Sequence, residues 1–275
     1  AGEAMFFRSL FAIPVILIWL VTQHDLQHGL ETAHPMGHVW RGLVGGTAMA
    51  LGFTALGLLP LPEVTAIGYA APILIVIFAA MFLGEQVRAF RLTAVAVGMV
   101  GVLIILSPRL SVFEGETVST LETLGAMAAL MGAVFMALAQ VFVRKLVATE
   151  TTAAIVFYFS VTTTVLSLFT IPFGWIWPSW TALILLILSG LLGGIAQIFL
   201  TSSYRYAPTS VIAPFEYSSI VMALIVGYLL FDEVPSSQMM LGAGLIVAAG
   251  LFIIYREQKL GLERSKARRA VTPQG

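Results

Sequence analysis

Cysteine is absent from the 275 residues, which excludes disulfides and thiolate metal sites. Charge is scarce as well: only 10% of residues are Asp, Glu, Lys or Arg, and they balance to a formal net charge of zero. No basic face interleaved with aromatics exists for nucleic acid to bind. Neither a Walker motif nor a nucleotide-binding domain is present, so ATP hydrolysis is not the direct energy source, and no cofactor motif occurs. There is no initiator Met and no signal-peptide n-region, so the start reads as a cut end. What remains is apolar: 59% of residues are hydrophobic and mean hydropathy is +0.98, too little polar surface for a water-soluble globule.

A hydrocarbon core about 30 Å thick needs roughly 20 apolar residues per helix. Nine such runs are visible, at about 4–22, 38–59, 64–84, 90–107, 121–143, 152–173, 179–203, 209–231 and 236–255. They are continuous and rich in Ala, Leu and Gly, without the alternation of a porin-like barrel. The expectation is an all-α integral membrane protein.

Gly42, Gly45, Gly46, Pro60, Tyr69 and Glu85 each have an identical residue 148 positions later, at Gly190, Gly193, Gly194, Pro208, Tyr217 and Glu233. A gapless register of this length marks a duplicated unit, which in a membrane protein is the signature of a transporter. The second unit has five runs and the first four, and the mate of the run starting at Leu121 would fall before Ala1. Ten native helices, five plus five, are therefore expected, nine of them in this chain. The repeats are set at 1–110 and 121–256, followed by a basic tail at 257–275. Five spans per unit make consecutive units enter the membrane from opposite sides, giving inverted repeats.

Lys and Arg accumulate on cytoplasmic loops. Arg256, Lys259, Arg264, Lys266, Arg268 and Arg269 place the C-terminus inside, and the alternating loops then put Arg205, Arg144, Lys145, Arg88, Arg91 and Arg41 on the same side. Only Arg109 falls outside, with Arg8 within a helix. Trp175, Trp177 and Trp180 cluster at the external 174–180 turn, as interfacial aromatics do. The location read from this is a bacterial-type inner membrane.

Residues 213–257, APFEYSSIVMALIVGYLLFDEVPSSQMMLGAGLIVAAGLFIIYRE, and 66–106, AIGYAAPILIVIFAAMFLGEQVRAFRLTAVAVGMVGVLIIL, share a pattern of helix, terminal Glu, short turn and glycine-containing helix. In this they resemble EamA-type members of the drug/metabolite transporter superfamily, and residues 2–20 are similar to the family's second helix. The resemblance implies ten helices in two inverted halves, a shared central cavity, and transport of small metabolites such as amino acids and their derivatives, S-adenosylmethionine, riboflavin or nucleotide sugars. One departure concerns the family proline, Pro72, which would fall at Ile220 in the second copy, where Pro214 comes six residues earlier. That weakens any symmetry of helix breaks at this point.

Glu216 is the leading candidate for solute binding. It lies inside an apolar run, its repeat mate is Gly68, and an intramembrane carboxylate is functional by default. It either pairs with a cationic solute group or takes up a proton; the structural alternative is a hydrogen bond to a neighbouring helix near the Pro214 break. Arg8 either receives a substrate carboxylate in a bidentate fork or snorkels to headgroups. Gln140 and Gln197 either line a cavity or bond across helices. Tyr69 and Tyr217, as repeat mates, approach the pseudo-two-fold axis, and with Tyr158 and Phe215 they either stack on a planar solute or pack ordinarily. Gly42/Gly46 and Gly190/Gly194 form matching GxxxG pairs read as helix packing. Glu85 and Glu233 read as turn-closing groups that bond the next helix N-terminus. His24, His28, His34 and His38 form two i,i+4 pairs in a stretch without an apolar helical face, so a solvated loop is preferred to a metal site.

The expected activity is that of a secondary carrier of a small metabolite, an amino acid or derivative, with protons as the coupling ion that Glu216 permits and uniport as the alternative. Membrane lipid is the other partner, and the protein is a monomer or homodimer. A membrane-embedded transferase would need a paired-carboxylate or nucleophile–base constellation that the sequence lacks. A channel would need a filter sequence that is equally absent.

Overall fold

The computed structural model describes residues 1–23, 28–59, 61–85, 87–106, 120–231 and 237–271. Pro60 and Glu233 of the repeat, and His24 of the histidine stretch, lie outside them. Every regular element among the described residues is helical: α1 Gly2–Leu10, α2 Ala12–Thr22, α3 Pro35–Leu58, α4 Leu61–Gly68, α5 Ala71–Leu83, α6 Ala89–Leu106, α7 Thr120–Leu146, α8 Thr152–Leu168, α9 Trp180–Tyr206, α10 Thr209–Ile212, α11 Ser218–Phe231 and α12 Ser237–Val271, with 3-10 turns at Ile171–Phe173 and Ala213–Tyr217. The fold is the expected all-α membrane bundle. Gly2–Thr22, α3, α7, α9 and the first 20 residues of α12 are each long and apolar enough to cross a bilayer.

Three runs that look continuous in sequence are broken, and proline explains each. A proline removes one N–H and its ring clashes with the carbonyl four residues back. Pro14 acts on Leu10, where α1 ends; Pro72 acts on Gly68, where α4 ends; Pro214 acts on Ser210, and the chain tightens into a 3-10 turn from Ala213. The breaks after Tyr69 and at Tyr217 lie 148 residues apart although their prolines do not. The symmetry of the breaks thus survives the shift from Pro72 to Pro214. At the other extreme, α12 runs on as one helix to Val271, through most of the segment read as a basic tail. Its Glu-, Lys-, Arg- and Ala-rich extension has high helix propensity and no proline before Pro273.

Repeat mates run in opposite directions. α3 starts, and α9 finishes, at the end of the bundle where Glu150 lies: the N–H groups of Ala33 and His34 donate to the Glu150 carboxylate at 3.0 and 2.9 Å, and Arg205 donates to its carbonyl. Likewise α2 finishes beside Thr151 and Thr152, where α8, capped by Thr151, begins. This basic end gathers residues 28–34, 84–85, 147–151 and 207–208. At the opposite end Trp175 packs on Phe6, and Trp177 and Trp180 are exposed.

The small residues set the helix spacing. A Cβ at Gly190 would lie 2.8 Å from the Phe7 carbonyl oxygen, and one at Gly194 would lie 3.0 Å from Cα of Ala12, so α9 meets the α1–α2 junction backbone to backbone. Gly42 faces the Thr162 side chain on α8, and Gly46 faces Leu166, Thr163 and Met5. α6 and α12, themselves repeat mates, meet through Gly101 and Gly242.

Candidate functional site

The 3-10 turn at Ala213–Tyr217 carries Glu216 out of regular helix at the place where the first half has Gly68. A Cβ at Gly68 would meet no atom within 4 Å, so open space adjoins the break of the first half. Glu216 is half-buried, and its Oε1 is buried without a hydrogen-bond partner. The side chain that faces it is Tyr204, fully buried near the end of α9, whose hydroxyl is directed at the Glu216 carboxylate without a well-formed hydrogen bond, and which also interacts electrostatically with Arg41 and Glu85.

Tyr69 and Tyr217 meet across the two breaks, ring centroids 5.7 Å apart. The Tyr69 hydroxyl shares a 2.8 Å hydrogen bond with Ser219. Tyr217 is wholly enclosed, its ring lying where a Cβ at Gly98 would come within 2.4 Å, and its hydroxyl is unpartnered. Gln140 on α7 is buried; its amide nitrogen reaches Met136 Sδ at 3.8 Å and its Oε1 has no partner. The region around the broken helices therefore holds several buried polar atoms without a well-formed hydrogen bond, among them Glu216 Oε1, the Tyr217 hydroxyl and Gln140 Oε1.

The other sequence candidates lie elsewhere. Arg8, in the last turn of α1, crosses Gly193 of α9, with Nε 3.3 Å from a Cβ built there. Gln197 is half-buried on α9. Tyr158 belongs to the basic end, where its hydroxyl donates to the Leu30 carbonyl at 3.1 Å and its ring contacts His38. Phe215 points to the outer side of the turn, against Ala94, Ala249 and Ile253.

Two sequence readings are corrected. Arg41 is not a loop charge: α3 begins at Pro35, and the guanidinium is buried in the bundle, 4.0 Å above the Phe159 ring centroid. His38 is not solvated: it is buried in the first turn of α3, with Nε2 3.3 Å from Glu150 Oε2. Arg41 and Tyr204 are thus buried polar groups that sequence reasoning did not single out. Arg41 carried a usable signal, because its repeat mate is the uncharged Ser189, the same asymmetry that singles out Glu216.

Beyond the central region, the basic end is tied shut between halves. Glu85, set by the left-handed cap Gly84 (φ 63°), accepts from the N–H groups of Thr209 and Ser210 at 2.9 and 3.1 Å and from the Ser210 hydroxyl at 2.9 Å. Its target is therefore α10 of the other half, not the adjoining helix. Arg144 lies 3.8 Å from Glu85 and donates to the Tyr204 carbonyl, while Arg91 donates to Ser210 at 2.8 Å. Burial pushes the Glu85 carboxyl up, but the hydrogen bonds from Ser210 and Thr209 outweigh it and hold it below the usual range. For Glu150, burial likewise acts upward, and the bonds from His38, His34, Thr32 and Ala33 bring the net shift down.

Comparison with known proteins supplies the family. The profile of the EamA-like transporter family matches residues 2–107 and 123–255. The S-adenosylmethionine uptake transporter of Rickettsia felis is 29% identical over 94% of this chain and 84% of its own length. The pseudopaline exporter of Pseudomonas aeruginosa is 32% identical over 90% of this chain and 84% of its own, and the riboflavin transporter of Rhizobium johnstonii 27% over 84% and 74%. A crystal structure superposes with a TM-score of 0.77 at 21% identity, covering 92% of this chain and 86% of that one, so it shares the fold. With both halves matched by one family profile, and relatives that are transporters rather than enzymes, this chain belongs to the EamA-like transporter family of the drug/metabolite transporter superfamily.

Proposed function

We propose that this transporter is a secondary carrier for an amino acid or amino-acid derivative with a cationic group, bound between the broken helices of its two halves. The observation that carries the reading is Glu216, an intramembrane carboxylate with an unpartnered oxygen, in a helix break, in one half only. A cationic ammonium or sulfonium group satisfies that carboxylate, and a proton satisfies it when the solute has left, which couples the two. Tyr69 and Tyr217 flank the break, and an S-adenosylmethionine carrier among the relatives fits a sulfonium-bearing solute. In this reading the two inverted bundles rock about the site in an inner membrane, with the basic C-terminal segment cytoplasmic.

Glu216→Gln tests it, because the amide keeps the shape and removes both the charge and the proton site. In proteoliposomes, uptake and counterflow of radiolabelled S-adenosylmethionine and of cationic and aromatic amino acids are measured across pH 5.5–8. The variant is expected to fold and to lose flux or its pH dependence. Unaltered flux and pH profile would remove Glu216 from the mechanism.

A further inference from the structure

Arg41 is 4% exposed, and neither its Nε nor its Nη1 has a hydrogen-bond partner. A guanidinium taken out of water with donors open is strongly unfavourable. The bond-making arginines of the basic end differ: Arg91, Arg144 and Arg205 donate to Ser210, the Tyr204 carbonyl and the Glu150 carbonyl. Among the described residues no carboxylate lies within ion-pair range of Arg41, whose cationic face rests on Phe159.

The space for this arrangement is made by one residue. A Cβ at Gly45, one turn along α3, would lie 2.0 Å from Nη1 of Arg41 and 2.9 Å from Cε2 of Phe159. Gly45 thus leaves the guanidinium its place on the ring. Tyr204 interacts with both Arg41 and Glu216, its hydroxyl directed at the Glu216 carboxylate.

We propose that Arg41 is the anion-receiving group of the solute site. A carboxylate of the solute accepts a charge-assisted hydrogen bond from one of the open N–H groups of the guanidinium. Gly45 is the residue that admits this geometry. A phosphate dianion fits less well, since one guanidinium would face two charges beside Glu216. The assignment rests on the reading of Glu216 as the cation-receiving group, and together the two residues make the site dipolar, suited to a zwitterion whose charged ends are held by opposite walls.

The test uses matched pairs differing only in the carboxylate: S-adenosylmethionine with its decarboxylated form, and L-tryptophan with tryptamine. Binding to the purified full chain in detergent is measured by calorimetry. At least one acid is expected to bind wild-type protein about tenfold or more tightly than its decarboxylated partner, as a single charge-assisted hydrogen bond implies. Arg41→Gln should bring that ratio close to one while binding of the amine persists, Arg41→Lys should restore part of it, and Gly45→Ala should reduce it. A wild-type ratio near one overturns the proposal without any variant, and so does an unchanged ratio in Arg41→Gln. The Glu216 reading fails separately: its sign is an amine that binds Glu216→Gln as well as wild type while Arg41→Gln still collapses the ratio. If none of the four compounds binds, both assignments fall.

Discussion

Glu85 and Glu150 are carboxylates whose oxygens are occupied by backbone N–H groups at the starts of helices, and both titrate below their ordinary range. A depressed folded-state pKa means stability that is fully present above the unfolded value and lost as pH falls through the folded one. The apparent Tm of the detergent-solubilised protein is therefore expected to fall steeply below about pH 4.5, where the carboxylates begin to protonate. Glu85→Gln should lower stability at pH 7 by about 1.5–3 kcal/mol, the range for hydrogen bonds to a charged group, and shrink the acid-side drop. A variant with wild-type Tm at pH 7 would show that the tie contributes nothing. At this scale the sequence was informative wherever an ionisable residue broke the repeat. Glu216 could be found that way, and so could Arg41, whose repeat mate is Ser189. The partners of Glu85 could not be read, because Thr209 and Ser210 are more than 120 residues away and donate through backbone N–H groups that any residue but proline carries.

Helices were the most legible elements, because runs of about 20 apolar residues have no other stable use in a bilayer. Their interruptions were less so: hydropathy is blind to a proline, and Pro14 sits within an unbroken apolar run, AIPVILIWL. Helix contacts, by contrast, follow the glycines. At Gly190 an added methyl would meet Cβ of Phe11 at 2.6 Å and the Phe7 carbonyl oxygen at 2.8 Å, and backbone atoms cannot turn aside. Gly190→Ala should therefore destabilise by about 1–3 kcal/mol through overpacking. Gly52, also within a helix, has nothing within 4 Å of the same built atom. There Gly→Ala should be neutral or should stabilise by about 0.5–1 kcal/mol, since only helix propensity changes. Thermal unfolding of the two variants side by side checks the contrast, and equal shifts would mean that the α9 contact with the α1–α2 junction does not set the helix spacing.

For the whole molecule, several of the bonds at the basic end cross between the halves. Glu85 and Arg91 of the first half reach α10 of the second, Arg144 of the second reaches Glu85, and Glu150 of the second caps the start of α3 in the first. If the halves rock about the central site, these ties close one exit and have to break before solute can leave by it. Tyr204 links the two regions, its carbonyl held by Arg144 and its hydroxyl facing Glu216 and Arg41. The absence of native cysteine makes this accessible to experiment, because any introduced thiol is the only one. Ala213→Cys places it in a fully buried position at the start of the 3-10 turn. A membrane-impermeant maleimide applied from the side of the basic loops should label it slowly. Adding Glu85→Gln and Arg144→Gln should raise the rate about fivefold or more, since loosening ties worth about 1 kcal/mol or more shifts a two-state equilibrium by that factor. A rate that stays the same would show that the exit is closed by packing of α5, α7 and α10 rather than by charge.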